Sequence, residues 1–125
     1  MEKSKVSDAY FLDTHAIIQI LIGAPTHKKF ISSTVFTAVF NLAEASYILR
    51  KHLGDMNADK KLEAFWSRVV HEEPRDAKSA ADLKLQNKTF SYIDGLGYAV
   101  ARRLGVPFVT GDTAFKELPG VLLIR

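Results

Sequence analysis

The sequence predicts a three-layer α/β/α sandwich around a mainly parallel central sheet of four to five strands. Short apolar or β-branched runs, such as residues 10–12 and 33–38, alternate with longer segments of helical periodicity. Such alternation is typical of parallel sheets that carry helices on both faces. The 125 residues are enough for one hydrophobic core, so we expect one domain over residues 1–125, with residues 1–7 as a polar lead-in.

Composition limits the classes of function. Hydrophobic residues make up 47% of the chain and charged residues 25%, which is ordinary for a soluble protein. No apolar run approaches the roughly 20 residues of a membrane span, so we expect a cytoplasmic protein with no membrane partner. The absence of cysteine excludes disulfides, thiolate zinc sites and cysteine nucleophiles. A net charge of +3 permits nucleic-acid binding without arguing for it.

The first half of the chain is predicted to contain two strands and three helices. The first strand is apolar without alternation, as expected of a strand buried on both faces. In order, the elements are a strand over residues 8–13, a helix that Thr14 caps and Gly23 stops, a short helix over residues 25–33, a strand over residues 33–38 and a helix over about residues 39–53 that Gly54 closes.

The second half is predicted to contain three more helices and two or three strands. Turn residues and helix-capping residues separate them. In order, they are a helix over about residues 57–70 with a short edge strand at residues 69–71, a helix to Asn87 that Asp76 caps, a helix from Ser91 to Gly105 with Asp94 in a capping box, a strand over residues 106–110 and a strand over residues 121–124.

Four acidic residues stand in apolar surroundings near predicted strand ends or helix starts. Asp13 and Asp112 follow strands, whereas Glu44 and Asp94 lie early in helices. In a right-handed α/β sheet, the carboxyl ends of strands and the starts of helices share one edge, where such sheets bind ligands. We therefore expect these four carboxylates to converge.

Glu44 gives the strongest argument for a site. Its predicted helix face carries Phe40, Asn41, Tyr47 and Ile48, which we interpret as a core-facing stripe. A carboxylate buried there is costly unless it is paired or bound to metal. Oxygen-only ligands suit Mg²⁺ or Mn²⁺, and a cation would offset the mutual repulsion of the acids.

Each acid also has a purely structural interpretation. Asp13 and Asp112 could be turn residues, and Asp94 could be only the acidic partner of the Ser91 cap. The shared edge favours a site when all four are taken together. Other acids are expected at solvated or connecting positions; these are Asp8, Glu63, Glu72, Glu73, Asp76 and Asp82.

Three motifs that contain these acids extend over nearly the whole chain. They are Phe-Leu-Asp13-Thr14, Asn41-Leu-Ala-Glu44 and the block over residues 91–112 that ends in Val-Thr-Gly-Asp112. Together with Phe115 and the tail over residues 118–121, they resemble PIN-domain ribonucleases, most closely the VapC-type toxins of prokaryotic toxin–antitoxin pairs. The last block is the most specific.

This resemblance implies a PIN-like fold and an Mg²⁺- or Mn²⁺-dependent endoribonuclease that hydrolyses RNA phosphodiester bonds. It also implies a homodimer and a cognate antitoxin. The catalytic and metal-binding residues would be Asp13, Glu44, Asp94 and Asp112. Thr14, Asn41 and Thr110 would support them from outside the coordination shell.

One departure from the family concerns the residues after the last acid. Some members carry a further acid where this chain has residues 113–116, Thr-Ala-Phe-Lys. This difference argues against tight binding of a second metal, and Lys116 could contact phosphate instead. Six other basic residues could steer RNA or be ordinary solvated positions; these are Lys28, Lys29, Arg50, Lys51, Arg102 and Arg103.

Two alternative functions remain open from the sequence. A PIN-fold module with weak or no catalysis could bind RNA or metal without turnover. A phosphatase with an aspartyl nucleophile could use Leu12-Asp13-Thr14, but such enzymes pair that acid with a second one two residues later, where this chain has His15.

Overall fold

The computed structural model describes residues 8–125, and the predicted lead-in at residues 1–7 lies outside them. The described region contains a four-stranded parallel sheet of order β2-β1-β3-β4. This confirms the predicted α/β class and its parallel sheet. The strands are β1 (Ala9–Leu12), β2 (Thr34–Phe36), β3 (Phe108–Thr110) and β4 (Val121–Leu123).

Five α-helices flank the sheet. Short 3-10 segments follow α1, α3 and β3, at Pro25–Ser32, Glu63–Arg68 and Thr113–Phe115. Within residues 8–125, none of the helices is both long and apolar enough to cross a membrane. The helices are α1 (Thr14–Leu21), α2 (Val39–Leu53), α3 (Asp55–Leu62), α4 (Pro74–Gln86) and α5 (Tyr92–Leu104).

The core has two halves, because the central strands are apolar on both sides. Leu12 and Val109 belong to the half that α1, α2 and α3 cover, and Phe11 and Phe108 belong to the half that α5 covers. All four side chains are fully buried. The apolar run of β1 is therefore unbroken because both faces of the strand are buried, as its sequence predicts.

The predictions of a helix over residues 57–70 and of an edge strand at its end need correction. The helix predicted over residues 57–70 begins at Asp55 and ends at Leu62, where the 3-10 segment takes over. Because the tighter winding changes the periodicity, Phe65 is buried whereas Trp66 is 60% exposed. The edge strand predicted at residues 69–71 is reduced to a single bridge between Thr37 and Val69.

The predicted caps at Thr14 and Asp76 also need correction. Asp13 caps α1 and accepts a 2.7 Å hydrogen bond from the Ala16 N–H, so Thr14 is the first helical residue. Asp76 is the third residue of α4, and its carboxylate accepts the Glu73 N–H at 2.8 Å.

Asp76 is not at a solvated position either. It is 2% exposed and pairs with the Arg103 guanidinium of α5 at 2.9 Å. Burial raises the pKa of Asp76, but the hydrogen bonds from Arg103 and the Glu73 N–H outweigh it and hold this pKa below its ordinary value. The pair joins α4 to α5.

Candidate functional site

The four predicted acids line one open groove of about 300 Å³ at the carboxyl edge of the sheet. Asp13 follows β1, Asp112 follows β3, and Glu44 and Asp94 project from the early turns of α2 and α5. The strand directions thus bring together residues that are up to 99 positions apart, from 13 to 112. The other lining residues are Thr14, His15, Ile18 and Ile48.

Asp13 is the most buried of the four acids, with 5% of its surface exposed. Burial raises its pKa to about 6, and the nearby Asp94 charge adds to the rise. Hydrogen bonds with the Thr110 side chain and the Ala16 N–H oppose the rise, as does the charge of His15. Asp13 is therefore a cap whose ionised form is disfavoured by its surroundings.

Asp94 is the electrostatic centre of the groove. Burial raises its pKa first, and the charges of Asp112 and Glu44 raise it further. Because Asp94 also raises the pKa of Asp13, its carboxylate interacts with all three of the others. The Ser91 hydroxyl accepts the Asp94 N–H at 3.0 Å, which confirms Ser91 as the cap of α5.

The predicted surroundings of Glu44 are wrong. Of the predicted core-facing stripe, Asn41 is buried and Phe40 and Ile48 are half-buried. Glu44 itself is exposed, as is Tyr47 at 64%, so the carboxylate does not face the core. The buried side chains of the helix are Asn41, Ala45 and Leu49, which recur at helical spacing about 100° away. Glu44 therefore reaches the groove from the solvent-exposed side of α2.

A hydrogen-bond relay fixes the Glu44 carboxylate. The Asn41 side-chain amide donates to the Thr14 hydroxyl at 3.1 Å, and that hydroxyl donates to Glu44 Oε1 at 2.5 Å. The direction follows from the chemistry, because an ionised carboxylate only accepts. Asn41 is 1% exposed and Thr14 8% exposed, so the relay has a rigid base beneath an exposed carboxylate.

Asp112 and Thr110 form the wall of the groove beyond β3. Asp112 caps the 3-10 segment after it, because its carboxylate accepts the Ala114 N–H at 2.9 Å. The Asp112 N–H donates to the Thr110 hydroxyl at 3.1 Å. Thr110, 1% exposed, thus links Asp13 to Asp112.

Sequence reasoning gave no role to two residues that shape the groove. His15 lines it and packs so closely on Gly111 that a Cβ at Gly111 would lie 2.8 Å from the imidazole. Thr37 is fully buried, and its hydroxyl donates to the Leu12 carbonyl at 3.0 Å, which secures the end of β1. Thr37 follows a β-branched run, where its polarity is the one available signal.

The groove has the donor chemistry of a hard-cation site, with carboxylate oxygens and no sulfur ligand. Two of its carboxylates, Asp13 and Asp94, have raised pKa values because they are buried and because other carboxylates lie near them. Within residues 8–125, however, no three acidic or histidine side chains are already arranged to hold a metal ion. Asp112 and Glu44 each give one oxygen to a protein donor, which leaves the second oxygen of each for a ligand.

Comparison with known families identifies the fold. The model of the PIN domain family matches residues 10–121, which include all four acids. The chain belongs to the PIN domain family. No protein of curated function matches the sequence at a significant level.

Solved structures with the same PIN fold come from toxin–antitoxin systems. A toxin–antitoxin complex from Klebsiella pneumoniae gives a TM-score of 0.74 at 18% identity, over 90% of this chain and 95% of that chain. VapC20 of Mycobacterium tuberculosis, described as a sarcin–ricin loop cleaving toxin, gives 0.72 at 20% identity, over 93% and 98%. DNA-bound VapBC from Salmonella typhimurium gives 0.73 at 20% identity, over 93% and 96%. At these identities the likeness is one of fold.

Proposed function

We propose that this PIN domain is a metal-dependent endoribonuclease, the toxin of a toxin–antitoxin pair. The observation that carries the proposal is the convergence of Asp13, Glu44, Asp94 and Asp112 on one open groove. Membership of the PIN family and the fold shared with VapC20, described as a sarcin–ricin loop cleaving toxin, support RNA as the proposed substrate. We place the protein in the cytoplasm, where RNA is accessible.

The four carboxylates divide the work by their positions. Asp13, Asp94 and Asp112 would hold Mg²⁺ or Mn²⁺, which supplies charge stabilisation of the phosphate and a water of lowered pKa. Glu44 is exposed and held by Thr14, so it can orient the attacking water or take its proton. Asn41 and Thr110 position these acids without contact to the substrate.

The proposed partners follow from the structural relatives. Two of them, those from Klebsiella pneumoniae and Salmonella typhimurium, are toxin–antitoxin or VapBC complexes, so we propose a cognate antitoxin that inhibits this chain. We also propose a homodimer, as the family resemblance implies. Size-exclusion chromatography with light scattering distinguishes a dimer from a monomer directly.

Replacement of Thr14 by Val is expected to reduce Mn²⁺-dependent RNA cleavage by about 10–100-fold, the usual effect of losing a group that orients a metal ligand or base. Valine keeps the shape of threonine but leaves Glu44 free to rotate and the Asn41 amide unpaired. That unpaired amide should lower the free energy of unfolding by about 1–3 kcal/mol.

Thr14→Ser is the matched control, because serine restores the hydroxyl. Initial cleavage rates measured well below the melting temperature separate loss of orientation from loss of folding. Equal rates for the Val and Ser variants would contradict a positioning role of the relay.

The proposal is tested by incubating the protein with a mixed-sequence RNA in Mn²⁺, in Mg²⁺ and in EDTA. We expect defined internal cleavage products with either metal and none in EDTA. Intact RNA at saturating concentrations of both metals would contradict the proposed activity.

One observation favours a second candidate, a PIN-fold module that binds RNA or metal without turnover. No three acidic or histidine side chains in the described region are already arranged to hold a metal ion. This candidate predicts that the same incubation gives RNA binding, detected as a gel shift, without products at any divalent metal.

A further inference from the structure

A second groove of about 500 Å³ lies between α4 and α5. Its apolar floor consists of Leu83 from α4 and of Gly95 and Ala99 from α5. Small residues make this floor possible, since a Cβ at Gly95 would touch Ala80 at 3.4 Å. The proposed catalytic roles do not use this groove.

The basic residues of the groove differ in how fully they are paired. Arg103 is committed to structure, because it binds the buried Asp76 carboxylate and the His71 carbonyl. Arg75 pairs with Glu73 at 2.8 Å, but its side chain is 73% exposed, so this ion pair is weak and exchangeable. Within residues 8–125, Arg102 has no carboxylate partner.

The Arg102 side chain is exposed, but it lies against a neighbouring turn. A Cβ at Gly120 would collide with its guanidinium, so the side chain lies across the turn that precedes β4. The Tyr98 hydroxyl donates to the Pro119 carbonyl at 2.7 Å and anchors the same turn to α5. An exposed guanidinium that has no carboxylate partner within residues 8–125 is well suited to bind an anion.

The geometry of α5 connects this groove to the four acids. Asp94, Tyr98 and Arg102 are four residues apart in succession, so they form a ridge along one face of the helix. Arg102 lies eight positions after Asp94, which is about 12 Å along the helix axis. A strand bound at Asp94 can therefore follow the ridge to Arg102.

Most of the other basic residues that the sequence suggests as RNA contacts already interact with other side chains, unlike Arg102. Arg50 pairs with Asp59 at 2.6 Å and lies near Asp55. Lys51 lies over the Tyr47 ring, and Lys29 lies over the rings of Tyr10 and Phe30. Among the three predicted arginines, Arg102 is the one whose charge is available to a ligand in the described structure.

We propose that the α4–α5 groove binds the phosphate backbone of single-stranded RNA through Arg75 and Arg102, adjacent to the acidic groove. This inference rests on the proposed ribonuclease function and adds the path of the substrate. Arg102 contacts one phosphate, and Arg75 exchanges the exposed Glu73 carboxylate for a second phosphate. The apolar floor between them accommodates a base.

The test compares the double variant Arg75→Gln/Arg102→Gln with Lys60→Gln/Lys61→Gln, which removes the same charge from α3 on the other side of the sheet. Both pairs are made in an Asp94→Asn background in Mn²⁺, so that RNA is bound without being cleaved. Fluorescence anisotropy of a labelled 20-nucleotide single-stranded RNA gives Kd at several KCl concentrations.

If the two arginines contact two phosphates, the arginine variant should make the negative slope of log K against log salt shallower by about 1.4. Its Kd for RNA should rise about 10- to 30-fold at 0.1 M salt. The lysine variant should stay within about threefold of the background protein, since its residues contact no phosphate. All four residues are exposed, so unfolding free energies should change by no more than about 0.5 kcal/mol.

Equal losses of RNA affinity in the two variants would overturn the proposed path and leave the ribonuclease function intact. Failure of the background protein to bind RNA at all would overturn both. An unchanged RNA affinity in the arginine variant would also overturn the proposed path. If that variant in addition bound poly-glutamate more weakly than the background protein does, the groove would be assigned to an acidic polypeptide instead.

Discussion

The variant Asp94→Asn is expected to lose at least about 100-fold of the Mn²⁺-dependent RNA cleavage, more than loss of an outer orienting group usually costs. Asp94 interacts electrostatically with Asp13, Glu44 and Asp112, so it is the one acid whose charge all the others sense. Asparagine keeps the size of the side chain and removes the charge that holds a divalent cation. Initial rates at saturating Mn²⁺ measure the effect.

A matched control is Asp82→Asn on α4, where the same change affects an exposed side chain that does not line the acidic groove. Its cleavage rate should equal that of the unmodified chain. Comparable activity of the Asp94 and Asp82 variants would rule out the proposed role of Asp94.

The variant Asp13→Asn should be more stable than the unmodified chain in the absence of metal at pH 7.5, by about 1–3 kcal/mol. The folded-state pKa of Asp13 is raised from 3.8 to about 6, so the folded protein binds this proton more tightly than the unfolded chain does. The stability that Asp13 contributes is present below pH 4 and is lost as the pH rises through 6. Asparagine avoids the loss and still caps α1.

Urea denaturation in EDTA between pH 4 and 8 measures this difference, which should vanish at the acidic end. A divalent cation should act against this difference, because the unmodified chain binds it more tightly than the Asn variant does. At a Mn²⁺ concentration 100 times its Kd, the unmodified chain should gain about 2.7 kcal/mol, and the Asn variant much less. An Asn variant that is less stable at pH 7.5 in EDTA would refute the account of Asp13 as a strained, ionised carboxylate.

The sequence predicts the sheet well because its strands are short apolar runs in a simple alternation with helices. Phe11 and Leu12, adjacent in β1, face opposite halves of the core, which an unbroken apolar run indicates without any knowledge of its neighbours. The edge shared by strand ends and helix starts then brings Asp13 and Asp112 into one groove. Topology alone accounts for this part of the site.

The orientation of side chains on helices was harder to predict. Phe40 and Tyr47 suggest an apolar face of α2, yet Phe40 is only half-buried and Tyr47 is exposed, and the fully buried residues are Asn41, Ala45 and Leu49. A buried asparagine carries no hydrophobic signal, since its burial depends on the Thr14 hydroxyl from a distant helix. Periodicity indicates that α2 is a helix but not which of two candidate faces packs inward.

Ion pairs between residues that are far apart in the sequence are also hard to predict, because they depend on how the helices pack. Asp76 and Arg103 are 27 residues apart, and each stands among other charges that suggest a solvated surface. Only the packing of α4 on α5 shows that the Asp76 carboxylate is buried against Arg103. The adjacent Arg102 is then the arginine left available to a ligand. The division of labour among the arginines thus comes from tertiary structure.

The most direct test of the central claim is anomalous diffraction from crystals soaked in Mn²⁺, with data collected above the manganese edge. The account predicts an anomalous peak in the acidic groove, bounded by the carboxylates of Asp13, Asp94 and Asp112, and its loss in crystals of Asp94→Asn. A groove without anomalous density at saturating Mn²⁺, or a peak that persists in the variant, would contradict it.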